Sequence, residues 1–235
     1  MNFALILAGG LGTRMGQTKK PKQFLELGNK PILIHTIEKF SILNDFEKII
    51  VLTPYEWINF TEDLINKYNF DNVVVIEGGE LRIDTINNGM EYILNNYDND
   101  DDHVIVTHDA VRPFVTHRII KDNISKAKEF GACNTMIPAT DTIVESMDNT
   151  LISNIPERRY MYQGQTPQSF NLNKLKSFYD KLNDNEKRNL TDACKVFTLN
   201  GEDVAVVEGE VSNIKITYSF DLNVANYIIK GDLND

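Results

Sequence analysis

Apolar residues fall along the chain in two alternating rhythms. Short unbroken runs occur at 3–8, 48–53, 72–77 and 103–108. Runs of that length without polar alternation predict strands buried on both faces. Between them, apolar positions recur every three or four residues, as at Ile34, Ile37 and Phe40, or Leu64, Ile65 and Tyr68. That spacing predicts amphipathic helices over 31–40, 57–68 and 85–96. The same reading gives a helix at 118–130, a strand at 132–138, helices at 172–182 and 190–197, strands at 204–207 and 214–217, and a closing helix at 221–230. Runs at 142–146 and 151–155 flank Asp148-Asn149 and predict a hairpin. Strands alternating with helices imply an α/β chain whose mostly parallel sheet is covered on both faces. No linker, repeat or low-complexity tract divides the 235 residues, so residues 1–235 read as one domain with a full core.

Composition narrows the function. Hydrophobic residues are 42% and charged residues 25%, which fits a globular chain. The net charge of −10 argues against nucleic acid or an anionic membrane as partner. An anionic substrate would need locally concentrated positive charge, or a metal, to overcome that field. Cys133 and Cys194 lie far apart with no C-x-x-C spacing, so neither a disulfide framework nor a zinc site is expected. The first apolar run has no basic flank and stops at glycines, so it reads as a core strand and not a signal peptide. With no run of membrane-spanning length, a cytoplasmic enzyme is expected. The acidic stretch 98–102 reads as a solvated loop, because consecutive acids cannot all face one ion.

Candidate chemistry begins where the first run ends. Gly9, Gly10, Gly12 and Gly16 fall within eight residues of each other, directly after a strand. Glycines let backbone N–H groups approach an anion closely, and successive turn amides form a concave anion site. Arg14 and Lys22 add cations that a purely structural turn does not need. Strand, glycine loop and cations point to a phosphate cradle. No Gly-Lys-Ser/Thr closes it, so it is not a P-loop. Met15 stands where the dinucleotide fingerprint wants glycine, and the second strand ends in Thr53-Pro54 with no acid for a ribose. Residues 78–82 and 109–112 also follow strands, and in open α/β sheets such segments converge at the strands' carboxyl ends. Asp109, at a strand end, either caps the next segment or holds Mg²⁺ beside a triphosphate, a role for one or two carboxylates.

The motif Leu7-Ala8-Gly9-Gly10-x-Gly12-Thr13-Arg14-Met15-Gly16, followed by Pro21-Lys22-Gln23-Phe24, resembles the signature of the sugar-nucleotide and polyol-phosphate nucleotidyltransferases. Within them it is similar to the cytidylyltransferases that activate methylerythritol phosphate or ribitol phosphate. The later pieces are Gly78-Gly79-Glu80-x-Arg82, His108-Asp109-Ala110-Val111-Arg112-Pro113, Thr166-Pro167-Gln168, Thr191-Asp192-Ala193 and Asn213-Ile214-Lys215-Ile216-Thr217. Pieces in family order along the whole chain are far more specific than any one alone. The resemblance implies a three-layer α/β/α, Rossmann-like (GT-A-like) fold with a protruding β-arm at about 141–162 that exchanges with a second subunit, hence a homodimer.

The implied reaction is attack by a phosphate oxygen of a polyol phosphate on the α-phosphorus of CTP, releasing pyrophosphate. The nucleophile is already an anion, so catalysis reduces to positioning and charge neutralisation. By resemblance, Arg14, Lys22 and Lys215 neutralise the α-phosphate and leaving group. Leu7, Ala8, Gly9, Gly10, Gly12, Thr13, Gly79, Glu80, Arg82 and Thr85 hold the nucleotide. Arg112, Thr142 and Arg158 hold the acceptor's phosphate, Arg158 coming from the arm. Mg²⁺ or another divalent cation is the expected cofactor, with Asp109 its ligand. Glu80-x-Arg82-x-x-Thr85 departs from the Asp-x-Arg-x-x-Ser of the methylerythritol enzymes but keeps the chemical types. Tyr162-Gln163-Gly164-Gln165 before Thr166-Pro167-Gln168 is more polar than in those enzymes and, with Leu190-Thr191-Asp192-Ala193-Cys194-Lys195, looks closer to the ribitol-phosphate enzymes. Gln163 and Gln165 either read the acceptor or tie down backbone around Gly164. The expected product is therefore CDP-ribitol, a teichoic acid or polysaccharide precursor, with the methylerythritol product of isoprenoid biosynthesis as the alternative.

Overall fold

The computed structural model describes residues 1–10, 20–190 and 192–231. The first strand, β1 (Asn2–Leu7), is followed by a two-stranded ribbon, β2 (Glu26–Leu27) with β3 (Lys30–Pro31), and by α1 (Ile32–Ser41). Then come β4 (Lys48–Thr53), α2 (Ile58–Lys67), β5 (Val73–Glu77), α3 (Arg82–Asn96), β6 (Val104–Asp109), α4 (His117–Phe130) and β7 (Ala132–Pro138). The chain closes with β8 (Tyr162–Asn171), α5 (Leu172–Tyr179), α6 (Asp184–Arg188), α7 (Cys194–Leu199), β9 (Ala205–Glu208) and α8 (Ser219–Lys230). The described residues form a seven-stranded sheet in the order β5-β4-β1-β6-β8-β7-β9. Every pairing is parallel except those of β8, which runs antiparallel to both β6 and β7.

Alternation along each strand explains why the runs are apolar throughout. Ala4, Ile6, Ile49 and Val51 pack under α1, α2 and α4. Phe3, Leu5, Ile50 and Leu52 pack on the other face, against α3, α5 and α7. A fully buried Leu, Ile or Phe contributes about 1.5–3 kcal/mol, so each of these strands is held from both sides. Gly89 lets α3 lie close to β1, because a Cβ there would sit 2.8 Å from Leu5 Cδ1. Among the described residues no helix is long and apolar enough to cross a membrane. The acidic stretch 98–102 is exposed and precedes β6, at the opposite end of that strand from Asp109.

One strand is absent from the sequence pattern, and two expectations need correction. Residues 162–171 form a ten-residue strand, β8, hidden in sequence by three glutamines, Gly164 and Pro167. Proline normally argues against an interior strand because it cannot donate to the ladder. Here Pro167 falls where β7 pairing jumps from Asn134↔Gln168 to Met136↔Gly164, and pairing with β6 stops at Gln168. Residues 214–217 are not a strand. The alternation there reflects burial of Ile216 against Leu27, Ile32, Val111 and Ala225, with one backbone bond from Ile216 N to Val111 O at 3.0 Å. The hairpin at 142–155 is reduced to a single antiparallel bridge, Glu145↔Asn154. Met147 and Leu151 there are 83% and 73% exposed, and a two-stranded hairpin with no face to bury is marginal in water.

Candidate active site

Parallel pairing puts Leu7 beside both Leu52 and Asp109, so β1, β4 and β6 end on one edge of the sheet. The chain leaves β1 through Ala8, Gly9 and Gly10 into a cleft along that edge. Gln23 donates from Nε2 to Ala8 O at 2.5 Å and so fixes the exit from β1. Leu7, Lys22, Gly79, Glu80, Arg82, Thr85, Asp109 and Lys215 line the same cleft. A second hollow shares Arg82, Asp109 and Lys215 and continues past Arg112 to Gln165, Thr166, Gln168 and Asp192. The cleft thus has two halves that meet at one group of charges.

That group is built on Asp109, only 6% exposed at the end of β6. Its Oδ1 accepts from Arg82 Nη1 at 2.6 Å. Its Oδ2 lies 2.9 Å from Lys215 Nζ and 3.5 Å from Arg112 Nε. Burial alone would raise the Asp109 carboxyl. The Arg82, Lys215 and Arg112 cations outweigh that and hold it well below the usual carboxylate range. Arg112 is anchored separately, donating from Nη1 to Asn213 O at 2.7 Å. Against a net charge of −10, the chain gathers Lys22, Arg82, Arg112 and Lys215 around one cleft. This is the local positive field that an anionic substrate requires.

Beneath the cluster runs a neutral relay. Asp109 N–H donates to Thr166 Oγ1 at 3.1 Å, and Thr166 Oγ1 lies 3.1 Å from His108 Nδ1. His108 Nε2 lies 3.0 Å from Arg112 O. A carbonyl accepts only, so the network assigns the proton to Nε2 and makes Nδ1 the acceptor of the Thr166 hydroxyl. Burial pushes His108 down to about 4, so the ring is neutral at pH 7.

The loop after β5 is shaped by contact. A Cβ on Gly79 would lie 2.7 Å from Asp84 C and 2.8 Å from Thr85 N, so only glycine lets the loop press onto α3. Thr85 Oγ1 accepts from Gly79 N at 3.0 Å and faces Leu81 O at 3.0 Å. The Thr85 N–H donates to Leu81 O, so α3 begins at Arg82, three residues before the expected start. That extra turn is what brings Arg82 to Asp109.

The structure brings together Leu7, Ala8, Gly9, Gly10, Lys22, Gly79, Glu80, Arg82, Thr85 and Lys215 in one half and Asp109, Arg112 and Gln165 in or beside the other. Gly12, Thr13 and Arg14 lie outside the described residues. Thr142 and Arg158 are exposed on the arm and line neither half. Arg158 Nη1 donates to Thr140 O at 3.1 Å instead. Gln163 is exposed and paired with Ile137 in the sheet. Gln165 already serves the fold: Nε2 donates to Glu210 O at 2.9 Å, and Oε1 accepts from Asn213 Nδ2 at 3.2 Å. Residues the sequence reading left without a role are Thr166, Gln168 and Asp192. Thr166 and Gln168 flank Pro167 and Asp192 precedes Ala193, and neither residue type nor spacing there tells which side chain faces a cleft.

The donor set also bears on a metal. Among the described residues no three His, Cys, Asp or Glu side chains come together, and both Asp109 oxygens already face cations. An ion such as Mg²⁺ would fit there by taking most of its ligands from the oxygens of a bound molecule, with Asp109 offering a carboxylate oxygen.

A mostly parallel sheet with helices on both sides, and a glycine-turn cleft lined by cations at its carboxyl edge, is the architecture of the nucleotidyltransferases. The match to known proteins is closer than the fold. Residues 3–231 match the family model of IspD, 2-C-methyl-D-erythritol 4-phosphate cytidylyltransferase, and the chain belongs to that family. It is a cytidylyltransferase. The IspD structure from Francisella tularensis shares 30% identity and a TM-score of 0.80, covering 96% of this chain and 98% of that one. The 4-diphosphocytidyl-2C-methyl-D-erythritol synthase of Anaerococcus prevotii shares 26% identity and a TM-score of 0.80, over 98% of this chain and 96% of that one.

Proposed function

We propose that the protein transfers CMP from CTP to 2-C-methyl-D-erythritol 4-phosphate. The observation that carries this reading is the family match over residues 3–231, joined by structures whose names state that acceptor. Ribitol 5-phosphate is the second reading, supported by resemblance at the polar segment 162–165 and at residues 190–195. That support weakens because Gln163 lies outside the cleft and Gln165 is bonded to Glu210 and Asn213.

In this reading the nucleotide lies in the half bounded by Gly9, Gly10 and Gly79, and the acceptor in the half bounded by Arg112 and Gln168. An acceptor phosphate oxygen forms a bond to the α-phosphorus of CTP. The bond from that phosphorus to the bridging oxygen of the β-phosphate breaks, and pyrophosphate leaves with its electron pair. No base is needed, since the nucleophile is an anion. Lys22, Lys215 and Arg14 neutralise charge on the α-phosphate and the leaving group. Asp109 keeps Arg82 and Lys215 in place before substrates arrive. Mg²⁺ would supply further charge neutralisation on the triphosphate, held by its oxygens and by Asp109. Thr142 and Arg158 reach an acceptor only if the arm at about 141–162 crosses to a second copy, so the working unit is proposed to be a homodimer with one domain per chain.

The test is incubation with [α-³²P]CTP, Mg²⁺ and methylerythritol 4-phosphate. Label should enter a CDP-methylerythritol product with one pyrophosphate per transfer, and excess chelator should stop the reaction. No labelled product above the acceptor-free control would refute it.

A further inference from the structure

We propose that Gln168 and Asp192 form the site that reads the acceptor's hydroxyl groups, and so set specificity for the polyol portion of the acceptor. This rests on the reading of the second half of the cleft as the acceptor's place.

Both side chains line that half, together with Arg82, Arg112 and Lys215. Gln168 is 2% exposed on β8. Its Nε2 donates to Asp192 Oδ2 at 2.7 Å and to Asn134 Oδ1 at 3.2 Å. Two acceptors on one nitrogen fix the amide's orientation, which leaves Oε1 as the other end. Gln168 Oε1 is buried and has no hydrogen-bond partner among the described residues. A buried amide oxygen without a donor is costly, and such atoms in native proteins call for an explanation. An O–H from a bound ligand would satisfy it.

Asp192 adds direction. Its Oδ1 accepts from Cys194 N at 2.7 Å at the start of α7, and its Oδ2 accepts from Gln168. The carboxylate is half-buried and each oxygen can accept a further bond. A phosphate placed against Asp192 would be repelled, whereas a hydroxyl donor is welcome. The same hollow is lined by Arg112, Arg82 and Lys215, which favour phosphate and do not need a hydroxyl. The half-cleft therefore offers both cations for a phosphate and acceptors for hydroxyl groups. The acceptor's phosphate faces the cations at the junction with the nucleotide, and its hydroxyl-bearing carbons run toward Gln168 and Asp192. Discrimination by such groups is strong because a ligand lacking the hydroxyl leaves them unpaired.

The test is a cycle of Asp192→Asn and Gln168→Met against methylerythritol 4-phosphate and an analogue lacking one hydroxyl of its carbon chain. Each is measured at saturating CTP. In the unmodified enzyme, loss of the hydroxyl that the pair reads should lower kcat/KM by about tenfold or more. Both variants should raise the acceptor KM by about tenfold while the CTP KM stays within about twofold. The penalty for the missing hydroxyl should then shrink to less than about threefold, since its partner is gone. Asp192→Asn keeps an oxygen for the Cys194 N–H, so it serves if Gln168→Met does not fold. An unchanged acceptor KM, or a full deoxy penalty retained in the variants, would overturn the proposal and leave a structural role. If the enzyme uses ribitol 5-phosphate in place of methylerythritol 4-phosphate, the acceptor reading above fails. The same cycle with ribitol 5-phosphate and its deoxy analogues then decides the pair. Turnover of neither acceptor would overturn both.

Discussion

Lys215 Nζ lies 2.9 Å from Asp109 Oδ2, reaching it from a segment that belongs to no strand. The segment is held by few, specific bonds. Asn213 Nδ2 donates to Thr166 O at 2.9 Å, Arg112 Nη1 donates to Asn213 O, and Ile216 N donates to Val111 O. Lys215 is therefore delivered to the junction of the two half-clefts by its neighbours, while its own ammonium remains half in solvent. A cation so held can pass from Asp109 to a substrate phosphate without the fold being disturbed.

It follows that Lys215→Ala and Lys22→Ala should each lower kcat by about two orders of magnitude, because charge stabilisation that grows in the transition state is removed. Lys215→Ala should cost less stability than loss of Asp109, since Lys215 is half in solvent and Asp109 keeps Arg82 and Arg112 as partners. Asp109→Asn should differ. It leaves Arg112 and Arg82 facing each other without a counter-charge, at a cost of about 2–3 kcal/mol, less than a fully buried pair because Arg82 reaches solvent. Denaturant unfolding and steady-state rates on the three variants check this.

His108 sets a pH dependence. Its folded value of about 4 lies below the 6.5 of an ordinary histidine, burial being the main cause. Between those values the unfolded chain binds a proton that the folded chain does not, so stability falls as pH drops from 6.5 toward 4. The loss amounts to roughly 3 kcal/mol from this group. His108→Gln, which can still donate to Arg112 O and accept from Thr166, should flatten that part of the curve. Urea unfolding at pH 7, 5.5 and 4.5 gives the slopes, and equal slopes in both proteins would remove His108 from the explanation.

Gly79→Ala tests the loop over α3. The added methyl meets backbone atoms of Asp84 and Thr85, which cannot swing away as a side-chain tip would. The expected outcome is about 1–3 kcal/mol of destabilisation and a raised CTP KM, with the acceptor KM little changed. An unaffected CTP KM would show that the loop's position does not matter to the nucleotide.

Much of this was legible in sequence because the signals were periodic. β4 and β7 match their expected bounds, since apolar runs and the flanking helices leave little freedom. The convergence of residues 8–10, 79–82 and 109–112 followed from parallel topology alone. What stayed hidden depended on contacts between distant segments. β8 reads as a polar loop until its partners are known, because Pro167 is acceptable only at the irregularity opposite Thr135. The strand expected at 214–217 has the right alternation, but its burial comes from α8 and the β2 loop and not from pairing. The role of Gln165 as a tie to Glu210 and Asn213 could not be told from acceptor reading by residue type. Thr142 and Arg158 lie in a segment where Val144, Met147, Leu151, Ile152 and Ile155 are exposed, so burial gives no sign of where it packs.

The central claim is the acceptor, and one comparison tests it most directly: kcat/KM for 2-C-methyl-D-erythritol 4-phosphate and for ribitol 5-phosphate, each at saturating CTP and Mg²⁺. The account predicts that methylerythritol 4-phosphate wins by about two orders of magnitude, the scale on which a pocket tells apart substrates that differ by one carbon unit or one added hydroxyl. Equal values, or a preference for ribitol 5-phosphate, would contradict it.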